Sequence, residues 1–428
     1  MTVLILPPTS LQNREISVTD MTIQKDLISK AQDYADKIEG DLRQNILTFW
    51  MQHSKSPSGT FHGSVTNELQ IDPSAERGSL LTSRILWTFS SAYEHYSHEP
   101  YLEMAHYAYD DLMRYYVDEE YGGFCWSVTA DGSICQSRKH VYGQAFVIYA
   151  LTAYYRITNR EAVLKQAIAL FNMLEEKAWE PVHGGYLEAY SRDWSPMEDY
   201  RLGYDDQNAP KSQNTHLHIM EAYTALLGVW PDPELKIAHR RLMDIMLDKI
   251  LDKTHPHLGL FFAEDWRCWD AGAASYGHDI EAAWLMDEAA KAQDDPELTK
   301  RIRSVAIEIA DSVLREGIDT DGAIMYEGHV DQGLTNSDKE WWPQVEAVMG
   351  FIAVFEMTGE EKYLKTAFRL WDFCEARLID KTYGGWIRGT DREGNVLVNE
   401  DKISFWKCPY HNGRCGLEAP GRLRKIGA

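Results

Sequence analysis

Two kinds of helical run alternate along the chain. Runs of the first kind are apolar on nearly every side and rich in alanine and aromatic residues, as at 142–155 and 216–227. Runs of the second kind carry more surface charge, as at 302–315. Helices that are apolar all round belong inside a fold, and one-sided helices belong outside it. A short polar break joins each pair, as at His98-Glu-Pro, Thr158-Asn-Arg, Pro231-Asp-Pro and Asp294-Asp-Pro. Such breaks combine a helix stop and a helix start in a few residues.

A glycine turn followed by an apolar or aromatic residue recurs between the pairs. Taking Gly63, Gly123, Gly185, Gly259, Gly322 and Gly385, the spacings are 60, 62, 74, 63 and 63 residues. A near-constant period of this size marks one repeated supersecondary unit. Each unit reads as helix, short connection, helix and a long loop bearing a short hairpin. Six units predict about twelve antiparallel helices, six inner and six outer, closed into an all-α (α/α)6 barrel. An open solenoid is the competitor, but a count of six and the inner/outer asymmetry favour closure. The long loops and the starts of the inner helices then share one rim. No Pro/Gly/Ser-rich linker divides residues 23–428, which are expected to form a single barrel domain. Residues 1–22 read as a loosely ordered extension, within which Met21 is an alternative start. The run from Val3 to Leu6 is too short for a signal core and is stopped by Pro7 and Pro8.

Composition narrows the partners. The net charge is −23 and the sequence pI about 5.1. Phosphate backbones and anionic lipid would repel such a chain, so neither nucleic acid nor a membrane is expected as a partner. Neutral or cationic small molecules suit it better. The expected state is a cytoplasmic monomer or weak homodimer. Six cysteines stand at 125, 135, 268, 374, 408 and 415 without a C-x-x-C pair, so buried reduced thiols are the plain reading. Fourteen Trp and twenty-three Tyr supply a core and, near the turns, faces for stacking on sugar rings.

The candidate chemistry lies some 17 to 29 residues beyond each turn. There stand Arg84; His140 with Tyr142 and Gln144; Asn214 with His216 and His218; His278 with Glu281 and Trp284; Trp341 and Trp342 with Gln344 and Glu346; and His411 with Arg414. Polar and aromatic groups thus open every inner helix, and a closed barrel gathers those openings around one pocket. His216 and His218 are two apart and cannot share a helix face. His218 is taken to face the lumen and His216 to support packing. His278 and Glu281 are three apart and do share a face; Glu281 either orients the imidazole or serves as a helix N-terminal charge. Arg84 interrupts the apolar run 80–89, where a charge needs a partner. It reads as a donor to a sugar or carbonyl oxygen, or as half of a buried ion pair with a carboxylate such as Glu346. Trp406 is the best stacking platform, because it lies in a loop beside His411. Gly-rich phosphate loops, G-x-S-x-G and H-E-x-x-H are absent.

Four stretches carry a resemblance: Asn214-Thr-His-Leu-His218, Gly277-His-Asp-Ile-Glu281, Lys339-Glu-Trp-Trp-Pro-Gln344 and Trp406-Lys-Cys-Pro-Tyr-His-Asn-Gly-Arg414. With Ser83-Arg84-Ile-Leu-Trp87 and His140-Val-Tyr-Gly-Gln144, they make residues 24–420 resemble the cellobiose 2-epimerases of the N-acylglucosamine 2-epimerase superfamily. The resemblance implies inversion at C2 of the reducing-end sugar of a β-1,4-linked disaccharide, without nucleotide, metal or other cofactor. It implies that His278 and His411 are the acid/base pair and that His218 and Arg84 hold and polarise the open-chain carbonyl. Trp284, Trp341, Trp342 and Trp406 would line the sugar subsites together with Tyr142, and Asn214, Glu281 and Glu346 would fix hydroxyls. Within the superfamily an N-acylglucosamine 2-epimerase or an aldose–ketose isomerase is the alternative. Outside it stand an inverting glycosidase using carboxylates among Glu281, Glu346, Asp205 and Asp206, and a non-catalytic sugar-binding protein.

Overall fold

The computed structural model describes residues 18–203 and 206–426, with side chains from residue 26. The expected extension therefore lies mostly outside the described residues, as does Asp205. The helices are α1 (Val18–Asp41), α2 (Leu47–His53), α3 (Ser79–Tyr96), α4 (Glu99–Tyr115), α5 (Val141–Thr158), α6 (Glu161–Lys177), α7 (Gln213–Leu227), α8 (Pro233–Ile245), α9 (Tyr276–Gln293), α10 (Pro296–Glu316), α11 (Trp341–Thr358), α12 (Glu361–Phe373) and α13 (Tyr410–Arg424). A π turn at Leu42–Ile46 makes α1 and α2 one continuous rod, so the described residues place twelve rods in the barrel.

Burial separates the two layers as the apolar pattern requires. Every residue of α3 from Ser79 to Ser90 is buried, and α11 is buried throughout Trp341–Val354. By contrast α10 buries a stripe, Leu298, Ile302, Ala306, Ile309, Ala310 and Val313, at helical spacing. The inner helices touch in sequence, α3 on α5, α5 on α7, α7 on α9, α9 on α11 and α11 on α13. The ring closes because α13 returns to α3, while α1 covers α13. The expected (α/α)6 barrel is thus formed. No described helix is long and apolar enough to cross a membrane.

Between α3 and α4, α5 and α6, and α9 and α10, the chain turns through single left-handed residues, Ser97 (φ 51°), Asn159 (φ 50°) and Asp294 (φ 55°). Gly359 does the same after α11. Asn and Asp tolerate this conformation better than most residues. Two of the outer helices, α8 and α10, begin with Asp232 and Asp295 accepting backbone N–H groups, and with proline in the first turn.

The rim is stitched by very short strands. The strand before each inner helix pairs with the hairpin of the next unit: Arg77–Gly78 with Ser127–Val128, Lys139–His140 with Ala189–Tyr190, Lys211–Ser212 with Phe261–Phe262, Ala273–Ser275 with Glu327–His329, and Lys339–Glu340 with Gly389–Thr390. Ile403 before α13 bridges back to Val65 of the first unit. A buried cation locks most of these joints. Lys139, Lys211, Lys339 and Lys402 reach Asp118, Glu180, Asp319 and Asp380 at 2.8, 3.1, 2.9 and 2.5 Å. At the unit leading into α9 the lysine is replaced by Ala274. There His257 takes over, bonding Asp279 at 2.7 Å and Glu316 at 3.1 Å.

This substitution gives the fold a pH dependence. Burial lowers the affinity of His257 for its proton, but Asp279 and Glu316 outweigh that and raise its pKa to about 8. The unfolded value is about 6.5. The staple's contribution, roughly 2 kcal/mol, is therefore complete below about pH 6.5 and lost as pH rises through the folded value. Thermal unfolding should show this loss in the native chain, and His257→Gln should flatten it. An unchanged slope in the variant would exclude the assignment.

Candidate active site

The starts of all six inner helices and the rim strands enclose a cavity of about 530 Å³. Its wall includes Arg84 from α3, Tyr142 from α5, Asn214 and His218 from α7, His278 and Glu281 from α9, Trp341 and Trp342 from α11, His411 from α13, and Trp406 from the loop before it. These ten of the twelve candidate residues are brought together. Trp284 and Glu346 are not in the wall. They lie one layer deeper, where the Trp284 indole N–H donates to Glu346 Oε2 at 3.2 Å. Trp284 also borders a second cavity, of about 440 Å³, formed by later turns of the inner helices. It is too far along α9 from His278 to share the first cavity's wall.

The polar openings of the inner helices serve two purposes. Gln144 and Gln344 do not reach the lumen: each clasps a hairpin, accepting the N–H and donating to the C=O of Phe124 and Ile324 respectively. His216 does the same work, with Nδ1 against the Ser212 carbonyl and Nε2 accepting the Tyr186 N–H at 2.9 Å. Asp279 accepts the N–H of Leu258 at 2.8 Å. The remaining openings carry the lumen chemistry.

Arg414 is the centre of that chemistry. It is fully buried, and its guanidinium donates to Glu281 Oε1 and Glu346 Oε1, both at 2.7 Å, and to Glu221 and the Tyr410 hydroxyl. Glu346 also receives His411 Nδ1 at 2.7 Å, and Glu221 receives His218 Nδ1 at 2.8 Å. A carboxylate only accepts, so each Nδ1 must carry its proton. Each neutral ring then keeps an unprotonated Nε2. His278 is held differently, by Ser275 Oγ at 2.8 Å from Nδ1. The i, i+3 spacing to Glu281 does not produce a bond between those two side chains; Glu281 turns to Arg414 instead. Trp342 packs against both His278 and His411, with ring centroids 4.6 and 5.6 Å away.

Burial sets the charges. It lowers all three imidazole pKa values: His278 to about 3 with help from His218, and His411 well below the usual range with help from Arg84 and Arg414. In His218 burial outweighs the pull of Glu221. Burial also raises Glu346, and raises Glu281 well above the carboxylate range with Glu346 adding repulsion. Glu281 Oε2 is buried and has no partner among the described residues. In Glu221, burial is overcome by Arg414 and His218, which hold its pKa down to about 2. Glu281, Glu346 and His411 bring donor atoms within 4.8 Å of one another, close enough for a metal ion. The cation bonded to both carboxylates is the Arg414 guanidinium.

Arg84 forms no ion pair with Glu346 or any other carboxylate among the described residues. It is 2% exposed, donates to the Tyr142 hydroxyl at 2.6 Å, and lies over the Phe146 ring at 4.1 Å. Its Nε, Asn214 Oδ1 and Trp341 Nε1 are buried and have no partner among the described residues. The cavity wall therefore contains an unneutralised guanidinium and several unused polar atoms, suited to a neutral polyol with a carbonyl.

Glu221 is the residue that sequence reasoning missed. It stands three positions after His218, the spacing used for Glu281 and His278, so the same rule could have found it. Ser275, Tyr200, Tyr326 and Arg388 also belong to the surroundings of the site and carried no spacing signal. Replacing the buried cation tests the hub: Arg414→Met leaves the carboxylates uncompensated and should cost roughly 3–5 kcal/mol in denaturant unfolding. Native-like stability in that variant would contradict the arrangement.

The family model of N-acylglucosamine 2-epimerase (GlcNAc 2-epimerase) matches residues 59–414. A cellobiose 2-epimerase of Bacteroides fragilis is 38% identical over 386 residues, covering 90% of this chain and 98% of the relative. The solved cellobiose 2-epimerase of Bacillus thermoamylovorans B4167 is 36% identical with a TM-score of 0.86, covering 91% and 99% of the two chains. That of Spirochaeta thermophila is 35% identical with a TM-score of 0.87, covering 93% and 98%. The chain thus belongs to the N-acylglucosamine 2-epimerase family, groups with its cellobiose 2-epimerases, and is an epimerase-type isomerase.

Proposed function

We propose that the chain interconverts glucose and mannose at the reducing end of β-1,4-linked disaccharides such as cellobiose and mannobiose. One observation carries this reading: three imidazoles whose Nε2 has no partner, and a guanidinium without a carboxylate, among the described residues, surround a single cavity. His278 and His411 are the acid/base pair, with Trp342 packed against both rings. His218 and Arg84 hold the C1 oxygen, Trp341, Trp342, Trp406 and Tyr142 line the sugar subsites, and Asn214 and Glu281 take hydroxyls. Glu346 acts through His411.

The chemistry follows from acidity. A C2 proton is removable only when C1 is a free carbonyl, so the ring opens first. One imidazole then takes the proton, the C2–H electron pair forms the C1–C2 double bond, and negative charge gathers on O1. Arg84 offers that oxygen a buried positive charge, where such a donor acts most strongly. The proton on the imidazolium so formed, exchanging with solvent, passes to Nε2 of the second ring, which delivers it to the opposite face of C2; both rings end neutral and the product is the epimer. The two rings, fixed from different helices, suit that delivery. An inverting glycosidase needs carboxylates about 6.5–9.5 Å apart. Glu281 and Glu346 each lie 2.7 Å from the same Arg414 nitrogen, which leaves no such gap between those oxygens.

Incubation with cellobiose and with mannobiose in deuterated water should yield C2 epimers carrying deuterium at C2. His411→Asn should lower the rate by at least about 10³-fold. Absence of exchange with both sugars would remove the reading. The pH profile is a second check. The bases are neutral in the free enzyme down to low pH, His278 to about 3. The acid limb of kcat/KM should therefore lie well below about pH 6.5, the ordinary histidine value. An acid limb at that value would contradict the burial of the pair.

A further inference from the structure

Lys407 is the buried lysine of the rim that the latch pattern does not explain. Lys139, Lys211, Lys339 and Lys402 each have a carboxylate within 3.1 Å. Lys407 is 2% exposed and has none among the described residues. Burying an ammonium without a counter-ion is costly, so some other contact must hold it. That contact is aromatic: its Nζ lies 4.9 Å from the centroid of the Trp341 ring. Arg388 lies over the same ring at 5.5 Å, and the Trp341 backbone N–H donates to the Arg388 carbonyl at 2.8 Å. Arg388 is itself anchored by Glu340 and Glu400 at 3.6 and 3.0 Å. The lysine's own loop is fixed, since its backbone N–H donates to Ser404 Oγ at 3.1 Å and its carbonyl accepts the Ser404 N–H at 3.2 Å. Two cations therefore bear on one indole of the cavity wall, whose buried N–H has no partner among the described residues.

We propose that Lys407 is a positioning residue, whose ammonium against the face of Trp341 holds that ring in place in the cavity wall and so sets affinity for the disaccharide. This rests on the epimerase reading for its ligand. A cation over an indole is attracted by the ring's negative face, more strongly when desolvated. The charges around Lys407 determine when the cation is present. Burial, Arg388 and Lys402 work against the ammonium, while Cys408 and Glu340 support it, and its pKa falls to about 7. The contact is therefore cationic below neutrality and weakens as pH rises through that value.

The test uses cellobiitol, a reduced disaccharide that cannot be epimerised, together with cellobiose. Lys407→Met should raise the Kd of cellobiitol and the KM of cellobiose about fivefold while leaving kcat within about twofold, and Lys407→Arg should restore both affinities. Wild-type KM should rise between about pH 6 and 8, and remain level in Lys407→Arg, whose charge persists. Native affinity in Lys407→Met, or failure of the arginine to rescue it, overturns the proposal. If Lys407→Met does not fold, the wild-type pH series decides: a level KM across that range overturns it. Absence of cellobiose turnover in the wild type would sink the epimerase reading instead, while the cellobiitol ratios still test Lys407.

Discussion

A single buried guanidinium constrains this barrel. Arg414 is sequestered from water at the centre of the inner ring, where an unpaired charge would be prohibitive. Carboxylates from three different helices answer it: Glu221 from α7, Glu281 from α9 and Glu346 from α11. Two of those carboxylates also accept from an imidazole: Glu221 gives His218 its other oxygen, while Glu346 Oε1 serves both Arg414 and His411. The electrostatic need of one arginine thus fixes the tautomer and direction of two histidines 193 positions apart in the chain, 218 and 411. Glu281 supplies a third acceptor through Oε1. Burial and its neighbour Glu346 favour its protonated form, and its second oxygen is the unpartnered one.

The repeated frame explains why the hub sits at one end of the barrel. Five of the six inner helices are entered through a strand of two or three residues that is already bonded to the next unit's hairpin. The first turn of each helix is thereby held in register with its neighbour. That turn does two jobs. One side chain, such as Gln144, His216 or Gln344, clasps the hairpin backbone and contributes to stability. Side chains on the other face, such as His218 and His411, are left for chemistry. Divergence among the units concentrates there, while the latch of a buried lysine on a carboxylate is kept in four of them.

The architecture was legible because burial leaves a periodic trace. Apolar-all-round and one-sided runs alternated, and the glycine turns kept near-equal spacing, so the closed ring and its rim could be read directly. The lumen histidine of the 216/218 pair was also legible, since two positions on a helix cannot face the same way. The partners were not. Glu281 shares a helix face with His278, yet bonds Arg414, because a buried guanidinium attracts a carboxylate more strongly than a neutral imidazole does. Glu221 obeys the same spacing and was passed over, because nothing in the local sequence says that Arg414 arrives from the far end of the chain. Trp284 looked like a subsite residue from its place in the repeat, but lies two turns further from the rim than His278, against Glu346. Spacing within an element is local information, whereas hydrogen-bond partners across a ring are not.

The chemistry proposed for this site depends on neutral imidazoles that present an unprotonated Nε2 to the cavity. Nitrogen-15 NMR of the histidine rings at neutral pH observes that state directly. The account predicts that His218 and His411 are neutral with the proton on Nδ1. A spectrum in which either ring is an imidazolium, or carries its proton on Nε2, would contradict it.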